Sequence, residues 1–310
     1  MKVLLFTHGS DIDGLGNVVL AKLAYKDIDY VLCKNNFDLT DKLNDYYKNN
    51  KLYEYDSIYI TDLSPTDELS NTLDNDIKLK NKLINLDHHE SKVELNKYNF
   101  CNVVIEENNI KTCATSLFYK YLLDNKLLKE SNSLNRFVEM TRREDNYEYK
   151  KYNDYESHDL AILFNKLGPD NYWKYINNKI NNNPNEFRLD DNDYKLINDY
   201  KKIMEEHIKE FLKDIYITEE NNIKLGVVII NYEYRNEVAE YVINNNIYDI
   251  DGLALISFEN NQISYRSIRN NTIVRTIAEN RGGGGHDTAC ASYISSELKQ
   301  KVLKLVFDNK

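Results

Sequence analysis

A chain of 310 residues, 42% hydrophobic and 29% charged, has the composition of an ordinary globular protein and the length of one large or two medium domains. Its 50 acidic and 40 basic side chains give a formal charge of −10, which argues against coating long duplex nucleic acid; a short anion stays within reach where cations or a local basic cluster reverse the field. No apolar run approaches the roughly 20 residues of a membrane span, and the scattered cysteines Cys33, Cys101, Cys113 and Cys290 read as small buried residues of a reducing cytoplasm.

The N-terminal segment MKVLLFTHGSD suits a first strand better than a signal peptide. The run from Lys2 to Thr7 has strand length, and Val18, Val19, Ala21, Leu23 and Ala24 then follow helical spacing. Ile28 to Cys33 reads as a strand, Leu39 to Tyr47 as a helix and Ser57 to Thr61 as a strand. Ser64 and Pro65 give a helix cap followed by proline at the first helical position, and Leu83 to Leu86 is a fourth strand. Such alternation implies right-handed βαβ units and a parallel sheet. From Thr112 to about Asn182 the pattern is mainly helical, and Asp190 to Ile217 forms one long amphipathic segment. Ile223 to Ile230 and Leu253 to Phe258 are strand-like, with Gln262 to Ile268 pairing with the latter. The expected organisation is an α/β chain with an N-terminal domain at 1–190, a connecting helix at 191–218 and a smaller α/β domain at 219–310.

Rare residues concentrate at a few turns. Of 10 glycines, Gly282, Gly283, Gly284 and Gly285 form one run, and Gly9, Gly14 and Gly16 crowd the turn after the first strand. That turn also holds His8, Asp11 and Asp13, whose two carboxylates can reach neighbouring points. A capped helix start explains one of them, but not both together with the histidine. Asp62 follows the strand Ser57 to Thr61 and alone reads as an exposed loop acid; Asp87, His88 and His89 follow Leu83 to Leu86. A parallel sheet places the carboxyl ends of its strands along one edge, so all these side chains are expected to face one cleft. Clustered acids repel unless cations lie among them. Oxygen and imidazole donors without thiolate suit Mn²⁺ or Mg²⁺, and paired metals about 3.5–4 Å apart are a common device for phosphoester hydrolysis.

HxxDxD, a strand-terminal Asp and then Asp-His-His resembles the DHH phosphoesterase superfamily, which includes RecJ-like nucleases, nanoRNases, cyclic-dinucleotide phosphodiesterases and family II pyrophosphatases. The resemblance continues through Arg142-Arg143-Glu144-Asp145-Asn146-Tyr147, Ser264-Tyr265-Arg266-Ser267 and Gly282 to His286, covering residue 3 to about 293. One departure is that only Gly9 and Ser10 separate His8 from Asp11, where relatives often have three residues. The resemblance implies a DHH domain joined by a long helix to a DHH-associated substrate domain. It implies two divalent ions, Mn²⁺ ahead of Mg²⁺: one held by His8, Asp11 and Asp62, the other by Asp13, Asp62, His88 and Asp145. Asp87 would orient the metal-binding histidine and His89 would face the substrate phosphate. Arg266, the glycine run and His286 would bind substrate, the run offering unobstructed N–H groups ahead of a helix starting near Asp287.

The implied protein is a cytoplasmic metal-dependent phosphodiesterase of the nanoRNase type with its site in an interdomain cleft, where His89, Arg266 and His286 stabilise charge on the phosphate. Its substrates would be short single-stranded RNA, linear dinucleotides or 3′-phosphoadenosine 5′-phosphate, with no long duplex and no membrane; a homodimer is compatible with this. The alternatives are a cyclic-dinucleotide phosphodiesterase, whose membrane-tethered forms carry N-terminal segments lacking here, a non-catalytic nucleotide-binding regulator, or an inorganic pyrophosphatase, which the GGGGH run opposes.

Overall fold

A computed structural model of the protein describes residues 1–269 and 272–307. The chain divides into two compact units, Met1–Tyr200 and Lys201–Lys310. The first opens with strand β1 (Val3–His8), helix α1 (Ile12–Ala24), β2 (Ile28–Cys33), α2 (Asn36–Lys48), β3 (Ser57–Thr61), α3 (Asp67–Asp74), β4 (Leu83–Asp87) and β5 (Cys101–Val103). These strands form one sheet in the order β2-β1-β3-β4-β5, every pair parallel. A small hairpin of β6 (Glu106–Glu107) and β7 (Ile110–Lys111) leads to α4 (Ala114–Asp124), α5 (Asn132–Asp145), α6 (Tyr155–Leu167), α7 (Pro169–Asn182) and α8 (Asp191–Leu212).

Alternation along β1 divides the core. Val3 and Leu5 pack with Leu15, Phe118, Phe137 and Ile176 on one face, while Leu4 and Phe6 pack with Leu39, Leu43, Leu69 and Leu73 on the other. Both faces are therefore covered by helices, as an all-parallel sheet requires. Each fully buried Leu or Phe contributes about 1.5–3 kcal/mol relative to exposure. The consequence for the site is positional: His8, Asp62 and Asp87–His89 leave the sheet at the same edge.

Three local expectations are corrected. Helix α3 is capped by Thr66, whose hydroxyl accepts the Leu69 N–H; Ser64 is fully buried and its hydroxyl serves Asp87 and Asn85 instead. The long amphipathic segment stops at Leu212, and Tyr216–Glu220 becomes strand β8 because it pairs antiparallel with β9 (Ile223–Ile229). The third lies in the second unit, which continues with α9 (Arg235–Asn245), β10 (Gly252–Ser257), β11 (Gln262–Ser267), α10 (Arg275–Glu279), β12 (Gly284–Gly285), β13 (Ala289–Tyr293) and α11 (Ser296–Phe307). No helix starts near Asp287; the chain there turns from β12 into β13, and the sheet runs β12-β13-β11-β10-β9-β8.

Candidate metal centre

Helix α1 begins where β1 ends, and the junction is tight. Asp11 caps the helix, its Oδ1 accepting the Gly14 N–H at 2.9 Å. A Cβ on Gly14 would lie 2.0 Å from the His8 carbonyl oxygen, so only glycine allows this approach. The short spacing keeps His8 beside Asp11: Nδ1 is 2.6 Å from Asp11 Oδ2 and 3.4 Å from Asp62 Oδ2.

Asp13 points inward and is almost fully buried. Its oxygens accept the N–H groups of Ala114 (2.7 Å) and Thr115 (2.8 Å), the first residues of α4, where orphan amides and the helix dipole favour a carboxylate. Thr115 Oγ1 also donates to the Asp13 carbonyl, at 2.6 Å. Asp62 is only 3% exposed, so it is not the surface acid its isolated position suggests. It adopts φ 61°, and its N–H donates to the Leu86 carbonyl.

His88 Nε2 sits 3.7 Å from Asp13 Oδ2, 3.5 Å from Asp62 Oδ1 and 3.6 Å from Asp145 Oδ2. Asp145 reaches it as the last residue of α5. His8, Asp11 and Asp62 form one donor group, Asp13, His88 and Asp145 a second, and Asp62, His88 and His89 a third. Asp62 Oδ2, His88 Nε2 and Asp145 Oδ2 are buried yet make no hydrogen bond. Donors each about 2.1–2.2 Å from a common ion stand roughly 3–3.5 Å apart, near the His88 spacings. Both the orphaned atoms and the carboxylate–imidazole chemistry fit divalent cations.

The electrostatics agree. Burial, then the charges of Asp11 and Asp13, raise the Asp62 carboxyl well above its usual range. Burial and Asp13 do the same for Asp145. Burial alone would lower His8, but the carboxylates of Asp11 and Asp62 beside its Nδ1 outweigh that and raise it to about 11. Burial likewise opposes the rise at His88, which the charges of Asp13 and Asp145 produce.

Asp87 has a different partner from the one the resemblance implied. Its Oδ1 accepts the N–H groups of His88 and His89 and lies 2.7 Å from His89 Nδ1, while Oδ2 accepts the Ser64 hydroxyl at 2.6 Å. It therefore orients the His89 ring, not that of His88. The His88 ring turns into the acid cluster, whereas the half-exposed His89 ring folds back over the carboxylate two residues before it. Among histidines without a sequence assignment, His158 bonds to Glu144 and stacks on Tyr149, and His207 bonds to the Tyr234 hydroxyl.

In the second unit, Arg266 lies on β11 and donates to the Tyr265 carbonyl and Asn236 Oδ1, each at 3.0 Å. The glycine run is not a flexible loop. The amides of Gly282 and Gly283 donate to Glu279 and Ala278 carbonyls, closing α10, and Gly284 and Gly285 pair with Ala291 and Cys290. A Cβ on Gly283 would lie 2.1 Å from the Ala291 carbonyl oxygen. Part of the expected cradle of free N–H groups is thus already used within the fold, and His286 is exposed in the turn that follows.

Two residues behind this centre escaped the sequence reading, Asn85 and Thr115, and a third, Ser64, was expected to cap a helix instead. Asn85 had one visible signal, an amide within an apolar strand just ahead of Asp-His-His; Thr115 had none, lying 102 positions from Asp13.

No protein-family model matches the chain. The oligoribonuclease NrnB of Bacillus subtilis (strain 168) is 28% identical over 298 residues, covering 95% of this chain and 73% of that protein. Among solved structures, a DHH domain of a member of the s1p family of ribosomal proteins superposes with TM-score 0.57 at 16% identity, covering 98% of this chain and 86% of that one. RecJ of Thermus thermophilus, solved with Mg²⁺, superposes with TM-score 0.50 at 10% identity over 98% of this chain and 48% of that one. By fold, by the order of its motifs and by its likeness to a curated relative over nearly all of its residues, the chain is similar to DHH-type phosphoesterases.

Proposed function

We propose that the protein hydrolyses the phosphodiester bonds of short single-stranded oligoribonucleotides, including linear dinucleotides, with two Mn²⁺ ions as its cofactors. The observation that carries this reading is the cluster of buried carboxylate and imidazole atoms without hydrogen-bond partners. Likeness to NrnB, an oligoribonuclease, supports the substrate class. The net charge of −10 is consistent with short substrates. Four free, buried cysteines suit a reducing cytoplasm, and among the described residues no helix is long and apolar enough to cross a membrane.

His8, Asp11 and Asp62 would hold one ion; Asp13, Asp62, His88 and Asp145 the other, with Asp62 shared. When bound, the cations supply the positive charge that offsets these carboxylates and the polarisation that activates water against phosphorus. The chain's own residues supply position. Ala114 and Thr115 fix Asp13, Gly14 fixes Asp11, and Asp87 holds His89 with Nδ1 engaged, leaving Nε2 to face a phosphate oxygen. The guanidinium of Arg266, the pair Gly284–Gly285 and His286 are the groups of the second unit that would bind the substrate anion.

The test is a hydrolysis panel in Mn²⁺ comparing labelled di- to pentaribonucleotides, cyclic dinucleotides, 3′-phosphoadenosine 5′-phosphate and pyrophosphate. Short RNA should be the preferred substrate and pyrophosphate should survive. Preference for pyrophosphate would overturn the assignment.

A further inference from the structure

Asn85 lies in the middle of β4 and is completely buried. A buried amide is costly unless its donors and acceptor are met. Here every side-chain hydrogen bond goes to the end of β3 and the turn after it: Nδ2 donates to the carbonyls of Ile60 (3.2 Å) and Leu63 (2.9 Å), and Oδ1 lies 2.9 Å from Ser64 Oγ. These partners bracket Asp62 on both sides. Asp62 occupies the left-handed region at φ 61°, where a Cβ costs about 1–2 kcal/mol. Among the described residues, most other non-glycine residues with positive φ are asparagines, which tolerate that region. An aspartate is kept here where its Oδ1 is 3.5 Å from His88 Nε2 and its Oδ2 is 3.4 Å from His8 Nδ1. The Ser64 hydroxyl also stands 2.6 Å from Asp87 Oδ2, and Asp87 holds His89.

We propose that Asn85 is a positioning residue of the metal centre. It clamps the turn from Ile60 to Ser64 so that Asp62 presents one oxygen to each half of the cluster, and through Ser64 it couples that turn to the Asp87–His89 pair. This rests on the metal-centre reading above.

The experiment titrates Mn²⁺ into wild-type protein and Asn85→Leu, reading free Mn²⁺ by electron paramagnetic resonance, with metal-free melting and steady-state kinetics on a diribonucleotide alongside. Leucine keeps the volume and removes the clamp. Mn²⁺ affinity should fall on the order of ten- to a hundredfold, and kcat should fall while KM stays within about threefold. A merely structural role would lower the melting temperature and leave Mn²⁺ affinity of the folded variant unchanged; that result overturns the proposal. If Asn85→Leu does not fold, Asn85→Ser, whose hydroxyl can restore one of the two carbonyl bonds, should show an intermediate loss of affinity, and wild-type affinity there is equally fatal. Wild-type protein that binds no Mn²⁺ would sink the metal centre and this role together, whereas unchanged affinity in the variants sinks only the role of Asn85.

Discussion

Asp145→Asn should stabilise the metal-free protein and weaken its stabilisation by metal. Asp145 and Asp13 offer oxygens within 4.8 Å of one another. At an effective dielectric near 20, two charges at that separation repel by about 3 kcal/mol. Taking up a proton instead costs about 1.4 kcal/mol per unit between the carboxyl's ordinary value and pH 7, which sets a ceiling near 4 kcal/mol. His88 Nε2, 3.6 Å from Asp145 Oδ2, recovers part of this, leaving about 2 kcal/mol for the isosteric amide to release. For a unit of this size that is a rise of roughly 4–8 °C in melting temperature. With Mn²⁺ at a thousand times its dissociation constant, wild-type protein gains about 4 kcal/mol, and the variant should lose most of that gain. Differential scanning calorimetry in EDTA and then in Mn²⁺ should therefore reverse the order of the two proteins. A variant that melts lower in EDTA, or that keeps the full Mn²⁺ shift, would refute the reasoning.

Gly14→Ala places a methyl 2.0 Å from the His8 backbone oxygen, which no rotamer change can relieve; denaturant unfolding should show a loss of about 3 kcal/mol or more, while Gly284→Ala, with open space at its Cβ, should stay within about 1 kcal/mol. Asp154 receives a bidentate Arg136 and a third bond from Arg143, and although burial works the other way these hydrogen bonds hold its carboxyl at about 2. Its folded value lies below the unfolded one, so the stabilisation is complete above about pH 4 and disappears as pH falls through about 2; urea melts of Asp154→Asn should show a deficit of about 1–2 kcal/mol at pH 7, after allowance for solvent screening, that closes under acid. Burial pushes the thiols of Cys33 and Cys101 up to about 12 and raises that of Cys113 well above its usual value. Ellman's reagent should therefore find almost no reactive thiol in the native protein, and Cys33, Cys101, Cys113 and Cys290 all reactive in concentrated guanidinium; rapid native labelling would contradict their burial.

The order of strands and helices was legible because periodicity is a local property, and the convergence of His8, Asp62 and Asp87 followed from the rule that parallel strands share a carboxyl edge. What sequence could not supply was pairing. Asp13 meets α4 more than a hundred residues later, and nothing in its neighbourhood announces that both its oxygens will be taken by amide groups. Asp87 selects His89 over His88 through a backbone turn invisible to spacing. Ser64 looked like a cap because serine before proline usually is one; burial against Asp87 gave it another task. The glycine run was read through its freedom, yet strand β12 and the contact at Gly283 show that close approach to β13 is what demands glycine there. β5 went unread because its three residues are too short to show a period.

The ligand groups differ in how firmly the fold fixes them, and this bears on how the centre would respond to cations. Asp11 and Asp13 are anchored by amides of α1 and α4, groups whose positions follow from helix geometry. Asp145 Oδ2 has no such partner, and Asp62 is held through its backbone turn while its Oδ2 stays unsatisfied. The anchored pair would keep its place without metal, while the cost of clustering falls on Asp62 and Asp145, the two carboxyls raised well above their usual range. A cation repays the most free energy where a charge is buried and least supported. Metal binding should accordingly tighten β3–β4 and the end of α5 more than α1, drawing the responsive acids onto a frame that is already set.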